Sequence, residues 1–326
     1  MNVLVTGGTG FIGRRVVERL LENGACVTVL TRDKNKAGAF AADGIELVEL
    51  DIAEKRAFEN LKIKNADLVI HLAACIDYSA GREALYRANV EGTENILKLA
   101  GKLGAKKFVY ISSIEAIGPV SAEEVPAGEA QPCRPVNLYG ESKLEAEKLA
   151  LRAGAGLKMD VVILRLGNVY GPESLSFVRP VAEAVLASNK AWLYLNRDLH
   201  RWHPVYIDDA AAGIVDATVP NVHGGVYIMA GGEIPTVGRL AGVIARELGV
   251  DLKTRKETGL SGIYILFSEI WARLKARLGS LRNPHNNWAY SIEKARRGLG
   301  YAPQVGLEDG VRRTMEWAKK EGLLPK

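Results

Sequence analysis

A tyrosine and a lysine stand four residues apart in Tyr139-Gly-Glu-Ser-Lys143, a spacing that puts both on one face of a helix. A free phenol has a pKa of about 10, and a fixed ammonium charge beside it favours the phenolate. Such a pair can pass a proton to or from an alcohol or carbonyl oxygen. Taken alone, Tyr-x-x-x-Lys describes an ordinary exposed helix face. Two other segments give it chemical company. Ser112-Ser113 ends the extended run Phe108-Val109-Tyr110-Ile111, and one hydroxyl there is placed to hold a substrate oxygen against Tyr139. Serines after strands are also common caps and turn formers.

The second segment is Thr6-Gly7-Gly8-Thr9-Gly10-Phe11-Ile12-Gly13, directly after the run Asn2-Val3-Leu4-Val5. Strand, glycine loop and helix in that order seat a dinucleotide pyrophosphate: small residues let the backbone approach, and the helix start offers free N–H groups and partial positive charge. Gly7, Gly10, Phe11, Ile12 and Gly13 are the candidate contacts. A nicotinamide dinucleotide would supply the hydride partner that the Tyr139–Lys143 pair needs. Cofactor choice is read at the end of the second strand, where NAD-preferring proteins place an acid on the ribose. Thr31 stands there, followed by Arg32, which can pair with a 2′-phosphate, and by Asp33. NADP is therefore favoured over NAD.

These groups need a scaffold. Extended runs recur at Asn2–Val5, Cys26–Leu30, Glu46–Leu50, Asp67–Leu72, Phe108–Ile111 and Val161–Leu164, with helical stretches such as Arg82–Leu103 and Tyr139–Ala153 between them. Strand–helix alternation with apolar strands predicts an α/β fold: a doubly wound parallel sheet of the Rossmann type, with ligands beyond the strands' carboxyl ends. From Gly171 onward prolines break the pattern. The reading is a dinucleotide-binding domain over 1–172 with a return segment at about 205–232, and a smaller, irregular C-terminal substrate-binding part from 173–204 and 233–326. The stretch Gly262–Gly279 is apolar at helical spacing with Arg273, Lys275 and Arg277 in its later half. Its uncharged apolar run is far too short for a bilayer span, which needs roughly 20 residues. It reads as a core or lid helix, or as a contact for a membrane surface or a lipophilic substrate.

Composition bounds the class. The chain has 326 residues, 48% hydrophobic and 25% charged, with a formal net charge of +5 whose bases are dispersed among acids. That pattern argues against nucleic acid as a partner. Three scattered cysteines lack metal-ligand spacing, so no metal is expected and a reducing compartment fits. A strand starting at the second residue leaves no room for a signal peptide, and the expected location is cytoplasmic, with possible membrane association through 262–279.

With these residues in view, the chain resembles an extended short-chain dehydrogenase/reductase. The likeness rests on Thr6–Gly13, Asp51-Ile52, His71-Leu72-Ala73-Ala74, Asn89–Thr93, Ser112-Ser113, Tyr139–Lys143 and Arg165–Pro172. It implies that Ser113, Tyr139 and Lys143 are catalytic and that Asp51 and Ile52 meet the adenine. It also implies that Leu72, Ala73 and Ala74 run along the cofactor, that Asn89 lies near the lysine, and that Leu166 to Val169 flank the nicotinamide. Ser112–Pro119, Pro204–Ala211 and Ser291–Tyr301 are similar to the 3β-hydroxysteroid dehydrogenase-like branch. Sugar-nucleotide epimerases of the wider family carry an arginine for the diphosphate where this chain has Trp202, with Arg201 one residue earlier.

The leading expectation is therefore an NAD(P)-dependent oxidoreductase that interconverts a secondary alcohol and a ketone on an apolar, sterol- or isoprenoid-like molecule. Trp192, Leu193, Tyr194, Trp202 and Ile263–Leu278 would cover the nicotinamide. The alternatives are a nucleotide-sugar epimerase or dehydratase, with Arg179, Arg197 and Arg201 as diphosphate ligands, and a non-catalytic NADP-sensing protein. The resemblance also implies a homodimer through Arg82–Leu103 and Tyr139–Ala153, where Leu85, Ile96, Leu99, Leu144 and Leu149 could serve core or interface.

Overall fold

The first strand, β1 (Asn2–Thr6), sends alternate side chains to opposite sides of a sheet: Val3 and Val5 enter one core cluster and Leu4 enters the other. The same alternation appears in β5 (Lys107–Ser113), where Val109 and Ile111 face one side and Phe108 and Tyr110 the other. Both faces are apolar, as a sheet covered on two sides requires. The computed structural model describes residues 1–35, 44–59, 61–186, 200–252 and 287–324.

Around these strands lie β2 (Cys26–Thr31), β3 (Ile45–Glu49), β4 (Leu68–His71), β6 (Asp160–Leu166) and β9 (Gly225–Met229), all parallel, in the order β3-β2-β1-β4-β5-β6-β9. The order reverses between β1 and β4, which opens the crevice where such sheets bind ligands. On one face packs α1 (Phe11–Glu22) through Val16, Val17 and Leu20, together with α6 (Ile207–Asp216) and α8 (Glu293–Leu299). On the other lie α3 (Gly92–Leu103) and α4 (Leu138–Leu157), with Ile96, Leu97, Ala100, Ala146 and Ala150 buried.

The stretch expected as one helix over Arg82–Leu103 is divided. A short α2 (Arg82–Tyr86) is followed by a π turn, Arg87–Glu91, before α3 begins. The cause is tertiary: Asn89 in that turn gives its side chain to the backbone of Cys75, and π turns of this kind cluster at functional sites. Of the apolar residues weighed for a subunit interface, Leu85, Ile96 and Leu99 are buried inside this chain and belong to the core. Leu144 and Leu149 are half-buried.

A separate apolar cluster joins the paired strands β7 (Asn168–Tyr170) and β8 (Pro204–Tyr206) to α5 (Arg179–Leu186), α7 (Val237–Glu247) and α9 (Leu307–Lys320). Phe11, Ile12 and Val169 pack at its margin, so the glycine loop and this cluster meet. Gly262–Gly279, Trp192, Leu193, Tyr194 and Arg197 lie outside the described residues. Among the described residues no helix is long and apolar enough to cross a membrane.

Candidate active site

The glycine loop turns the chain between Thr6 and Phe11 at the carboxyl edge of the sheet. Gly7 has φ +71°, and a Cβ there would sit 2.7 Å from the Ala73 nitrogen; a Cβ on Gly13 would sit 2.1 Å from the Gly7 oxygen. Any side chain at either position would push the loop, α1 and the Leu72–Ala74 strand end apart. Helix α1 starts without a side-chain cap and without an acid in its first turn, which leaves its N–H groups and positive end to an anion. This cradle fits the pyrophosphate of a nicotinamide dinucleotide, which when bound supplies the hydride acceptor or donor. Gly7, Gly10, Phe11, Ile12 and Gly13 would hold the phosphates, with Leu72, Ala73 and Ala74 alongside.

A hydrogen-bonded wire fixes this corner. The Ala73 N–H donates to Thr6 Oγ1 (3.1 Å), which contacts His71 Nδ1 (2.6 Å); His71 Nε2 lies 3.0 Å from Thr93 Oγ1, and that hydroxyl donates to the Asn89 carbonyl (2.6 Å). Because Thr93 gives its proton to Asn89, the imidazole must donate at Nε2 and accept at Nδ1. Burial, with Lys143 adding, pushes the His71 pKa down to about 3. His71 is thus a neutral strut joining β1, β4 and α3.

Helix α4 carries the tyrosine and the lysine. Asn137 caps it, its Oδ1 accepting from the Gly140 N–H at 2.7 Å. Lys143 is buried; its Nζ donates to the Ile111 carbonyl (2.7 Å) and lies 4.3 Å from the Tyr110 ring centre. Burial lowers its pKa to about 7, against the pull of Glu147. Tyr139 behaves otherwise than its spacing from Lys143 suggests. Burial raises its pKa above the ordinary phenol value, Tyr78 and Glu115 raise it further, and a hydrogen bond with Ser113 works the other way. The phenol is thus held as an acid by this chain's own groups.

The structure separates the two serines. Ser112 is buried and donates to Glu147 Oε1 at 2.5 Å, and Glu147 in turn takes the Arg165 guanidinium through Nε (3.0 Å) and Nη2 (2.7 Å). Ser112 therefore belongs to a buried cluster with Glu147 and Arg165. Ser113 is half-buried, accepts the Glu115 N–H at 3.1 Å, and is the serine that reaches Tyr139.

Ser113, Tyr139 and Lys143 come together at the carboxyl end of β5: Ser113 lies in register with Leu166 of β6 and bonds Tyr139, and Lys143 holds the Ile111 carbonyl, while Val169 packs on the neighbouring apolar clusters. Asn89 approaches from the π turn: besides binding Cys75, its Nδ2 donates to Ser142 Oγ at 2.9 Å, and Ser142 donates to the Tyr139 carbonyl. Arg32, Asp51 and Ile52 form a second group at the ends of β2 and β3. Arg32 is exposed. Asp51 accepts the Ala53 N–H at 2.9 Å, and the Ile52 carbonyl is held by Asn95 Nδ2 at 2.9 Å.

Three residues at the site were not singled out from sequence: Tyr78, Glu115 and Asn137. The Tyr78 ring lies 5.6 Å from that of Tyr139, and its hydroxyl donates to Glu115 Oε1 at 3.2 Å; Asn137 Nδ2 donates to Glu115 Oε2 at 2.8 Å. An Asn three residues before a helical glycine is a cap signal, so Asn137 was findable. The other two meet only in the fold.

With this geometry described, likeness to known proteins becomes informative. Residues 3–230 match the model of the NAD dependent epimerase/dehydratase family. The chain belongs to that family. A putative UDP-glucose 4-epimerase of Methanocaldococcus jannaschii is 30% identical over 97% of this chain and 98% of its own length. The dTDP-D-glucose 4,6-dehydratase of Mus musculus is 28% identical over 98% of this chain and 88% of its own. The crystal structure of Thermus thermophilus UDP-glucose 4-epimerase in complex with NAD superposes with a TM-score of 0.73 at 26% identity, covering 98% of this chain and 99% of that one. The protein is thus an NAD(P)-dependent enzyme of the extended short-chain dehydrogenase/reductase type, and the non-catalytic alternative falls away.

Proposed function

We propose that this family member oxidises a ring hydroxyl of a nucleotide-linked hexose and returns the hydride within the same turnover, as an epimerase does. This ranks the nucleotide-sugar alternative above the apolar alcohol. The observation that carries it is the 30% identity to a putative UDP-glucose 4-epimerase, which runs through nearly the whole of both chains and so includes the substrate side. In this reading Tyr139 takes the hydroxyl proton, Ser113 orients the oxygen, and Lys143 holds the nicotinamide ribose and supplies positive charge near the phenol. Arg201 is the diphosphate candidate. Its Nη1 now donates to the Ile234 carbonyl at 3.3 Å, a bond that an anion can replace. Arg179 makes a longer contact of the same kind, to the Leu323 carbonyl at 3.5 Å, and is the second candidate.

The test is incubation with UDP-glucose, with product separated by chromatography and absorbance followed at the nicotinamide band. Conversion to UDP-galactose with flat bulk absorbance is expected. The apolar-alcohol reading keeps one observation in its favour: Ile76, Tyr78 and Val136 are 69%, 64% and 51% exposed near the site. Stoichiometric cofactor reduction by a lipophilic alcohol, without UDP-sugar turnover, would establish it instead.

We further infer a preference for NADP over NAD. Thr31, not an acid, ends β2, and the neighbouring Asp33 has its N–H and carbonyl tied to the Thr31 hydroxyl, while Arg32 stands exposed. A guanidinium there can pair with a 2′-phosphate. Arg32→Ala is expected to weaken NADP binding about tenfold or more, in line with one lost charge-assisted contact, and to leave NAD binding within about twofold. Equal affinities of the parent protein for both dinucleotides would refute the inference.

A further inference from the structure

The hydroxyl of Ser113 is only as well placed as the turn that follows it. Its Oγ meets two groups, accepting the Glu115 N–H at 3.1 Å and reaching Tyr139. The single helical turn Ile114–Ala116 supplies that N–H. On one side the turn presses on α4, where a Cβ on Gly140 would lie 2.3 Å from the Glu115 carbonyl oxygen. At its far end it is held from a distant part of the sequence. The Tyr290 hydroxyl donates to the Gly118 carbonyl at 2.6 Å across 172 residues of chain, and the Tyr290 ring joins Ile114 and Ile117 in a small apolar cluster. Tyr290 is fully buried. Its own place is set by a short extended segment, residues 287–291. On one edge Asn287 and Val120 exchange backbone hydrogen bonds (3.0 and 2.9 Å), and the Ser291 N–H donates to the Ala127 carbonyl at 2.8 Å. On the other edge the Trp288 N–H donates to the Arg201 carbonyl at 2.8 Å, and the Tyr290 N–H to His203 Nδ1 at 3.3 Å. Because Nδ1 accepts, His203 carries its proton on Nε2 and donates it to the Gly231 carbonyl at 2.9 Å. One residue thus joins the chain leading into β8 to the turn that sets Ser113.

We propose that Tyr290 is a positioning residue for the proton-transfer step: its hydroxyl, bound to the Gly118 carbonyl, holds the Ile114–Gly118 turn so that the Glu115 N–H aims Ser113 Oγ at Tyr139. Without that bond the turn keeps its chain connections but gains freedom, and a hydroxyl that must lie within hydrogen-bond reach of a reacting oxygen loses its alignment. The dinucleotide cradle at Gly7 and Gly13 follows β1 and packs against the end of β4, so this brace does not reach it. The proposal rests on the roles given above to Ser113 and Tyr139, which both substrate readings share.

The experiment is a double-mutant cycle between Tyr290→Phe, which removes one buried hydroxyl and keeps the ring, and Ser113→Ala. It is run with UDP-glucose, or with the lipophilic alcohol if that is what reacts. Tyr290→Phe alone should lower kcat at least about tenfold, with KM and dinucleotide affinity within about twofold of the parent. In the Ser113→Ala protein the same change should cost less than about twofold, because the hydroxyl it positions is already gone. Hydrogen exchange, followed by NMR without substrate, should show the Glu115 amide at least about tenfold less protected in the Phe variant, with the β1 amides unchanged. A Phe variant with the parent's kcat, or one whose loss is the same with and without Ser113, overturns the proposal. Ser113→Ala with the parent's kcat, or a protein that turns over neither substrate, instead defeats the reading of the site. Exchange then decides the brace on its own, and parent-like protection of Glu115 in the Phe variant overturns it. Should the Phe variant not fold, the parent protein supplies the test: a turn braced by Tyr290 opens with it, so the Glu115, Gly118 and Tyr290 amides should share one protection factor within about threefold. A turn that opens independently of Tyr290 overturns the proposal.

Discussion

Tyr139→Phe is expected to lower kcat by about three orders of magnitude, within the range set by positioned proton transfer, and to leave dinucleotide binding within about twofold. Only the hydroxyl is removed. The ring that packs against Tyr78 remains, as does the Asn137 cap that starts α4. The phosphate cradle at Gly7 and Gly13 is built by other elements and is not disturbed. The pH dependence adds a signature. Burial, Tyr78 and Glu115 keep the Tyr139 pKa above the ordinary phenol value, so the fraction of base grows with pH throughout the neutral range. The oxidising step should accelerate as pH rises, and the Phe variant should lose that slope. Equilibrium dialysis for the dinucleotide and rate measurements across pH check both parts. A variant with the parent's kcat would remove Tyr139 from the chemistry.

What the sequence made legible was what local spacing determines. The loop at Gly7, Gly10 and Gly13 answers a constraint met largely within a few residues, the close approach of loop and helix, with Leu72 and Ala73 coming from farther away. The Tyr139–Lys143 pair shares a helix face by spacing alone, and the strands declare themselves as β-branched runs buried on both sides. Other features depend on encounters that no window of sequence contains. The π turn at Arg87–Glu91 exists because Asn89 bonds Cys75 and the wire through His71 ends on the Asn89 carbonyl. The choice between Ser112 and Ser113 is made by Glu147 and Arg165, from two different elements. Tyr78 and Glu115 meet across 37 residues of chain. The direction of the Tyr139 pKa escapes the spacing for the same reason: the sequence shows a nearby lysine but not the burial that raises the phenol in the fold.

Sequence also left the substrate side thin. Strands β7 and β8 are three residues each, too short to carry a readable period. Their place is fixed by packing of Tyr170, Phe177 and Tyr206 rather than by pattern. Family membership supplied what pattern could not, and it moved the functional ranking from an apolar alcohol towards a nucleotide sugar. The same fold hosts both chemistries, so the decision falls to whichever side chains meet the part of the substrate that does not react.

Lys143→Met is expected to lower kcat/KM by at least a hundredfold and to weaken dinucleotide binding, yet to make the protein without added nucleotide more resistant to unfolding in mildly acidic solution. The loss of function follows from the two tasks assigned to one ammonium, holding the ribose and placing positive charge near Tyr139. The gain in stability follows from linkage. Burial lowers the Lys143 pKa from 10.5 to about 7, so between those values the unfolded chain binds a proton that the folded chain does not. Stability therefore rises with pH across that window, and the full penalty of the buried ammonium is felt below about pH 7. At about 1.4 kcal/mol per unit the penalty is on the order of a few kcal/mol. Methionine removes it and leaves the Ile111 carbonyl without its donor, which costs about 1–3 kcal/mol in return. A net gain of about 1–2 kcal/mol is expected near pH 6, shrinking and then reversing towards pH 10, where the parent lysine is already neutral and still donates to Ile111. Urea unfolding of both proteins at the two pH values measures it. A variant that is less stable than the parent at both, by the same amount, would show that the Ile111 carbonyl, the Tyr110 face and Glu147 fully compensate the buried charge, and that this site holds its lysine at no cost to the fold.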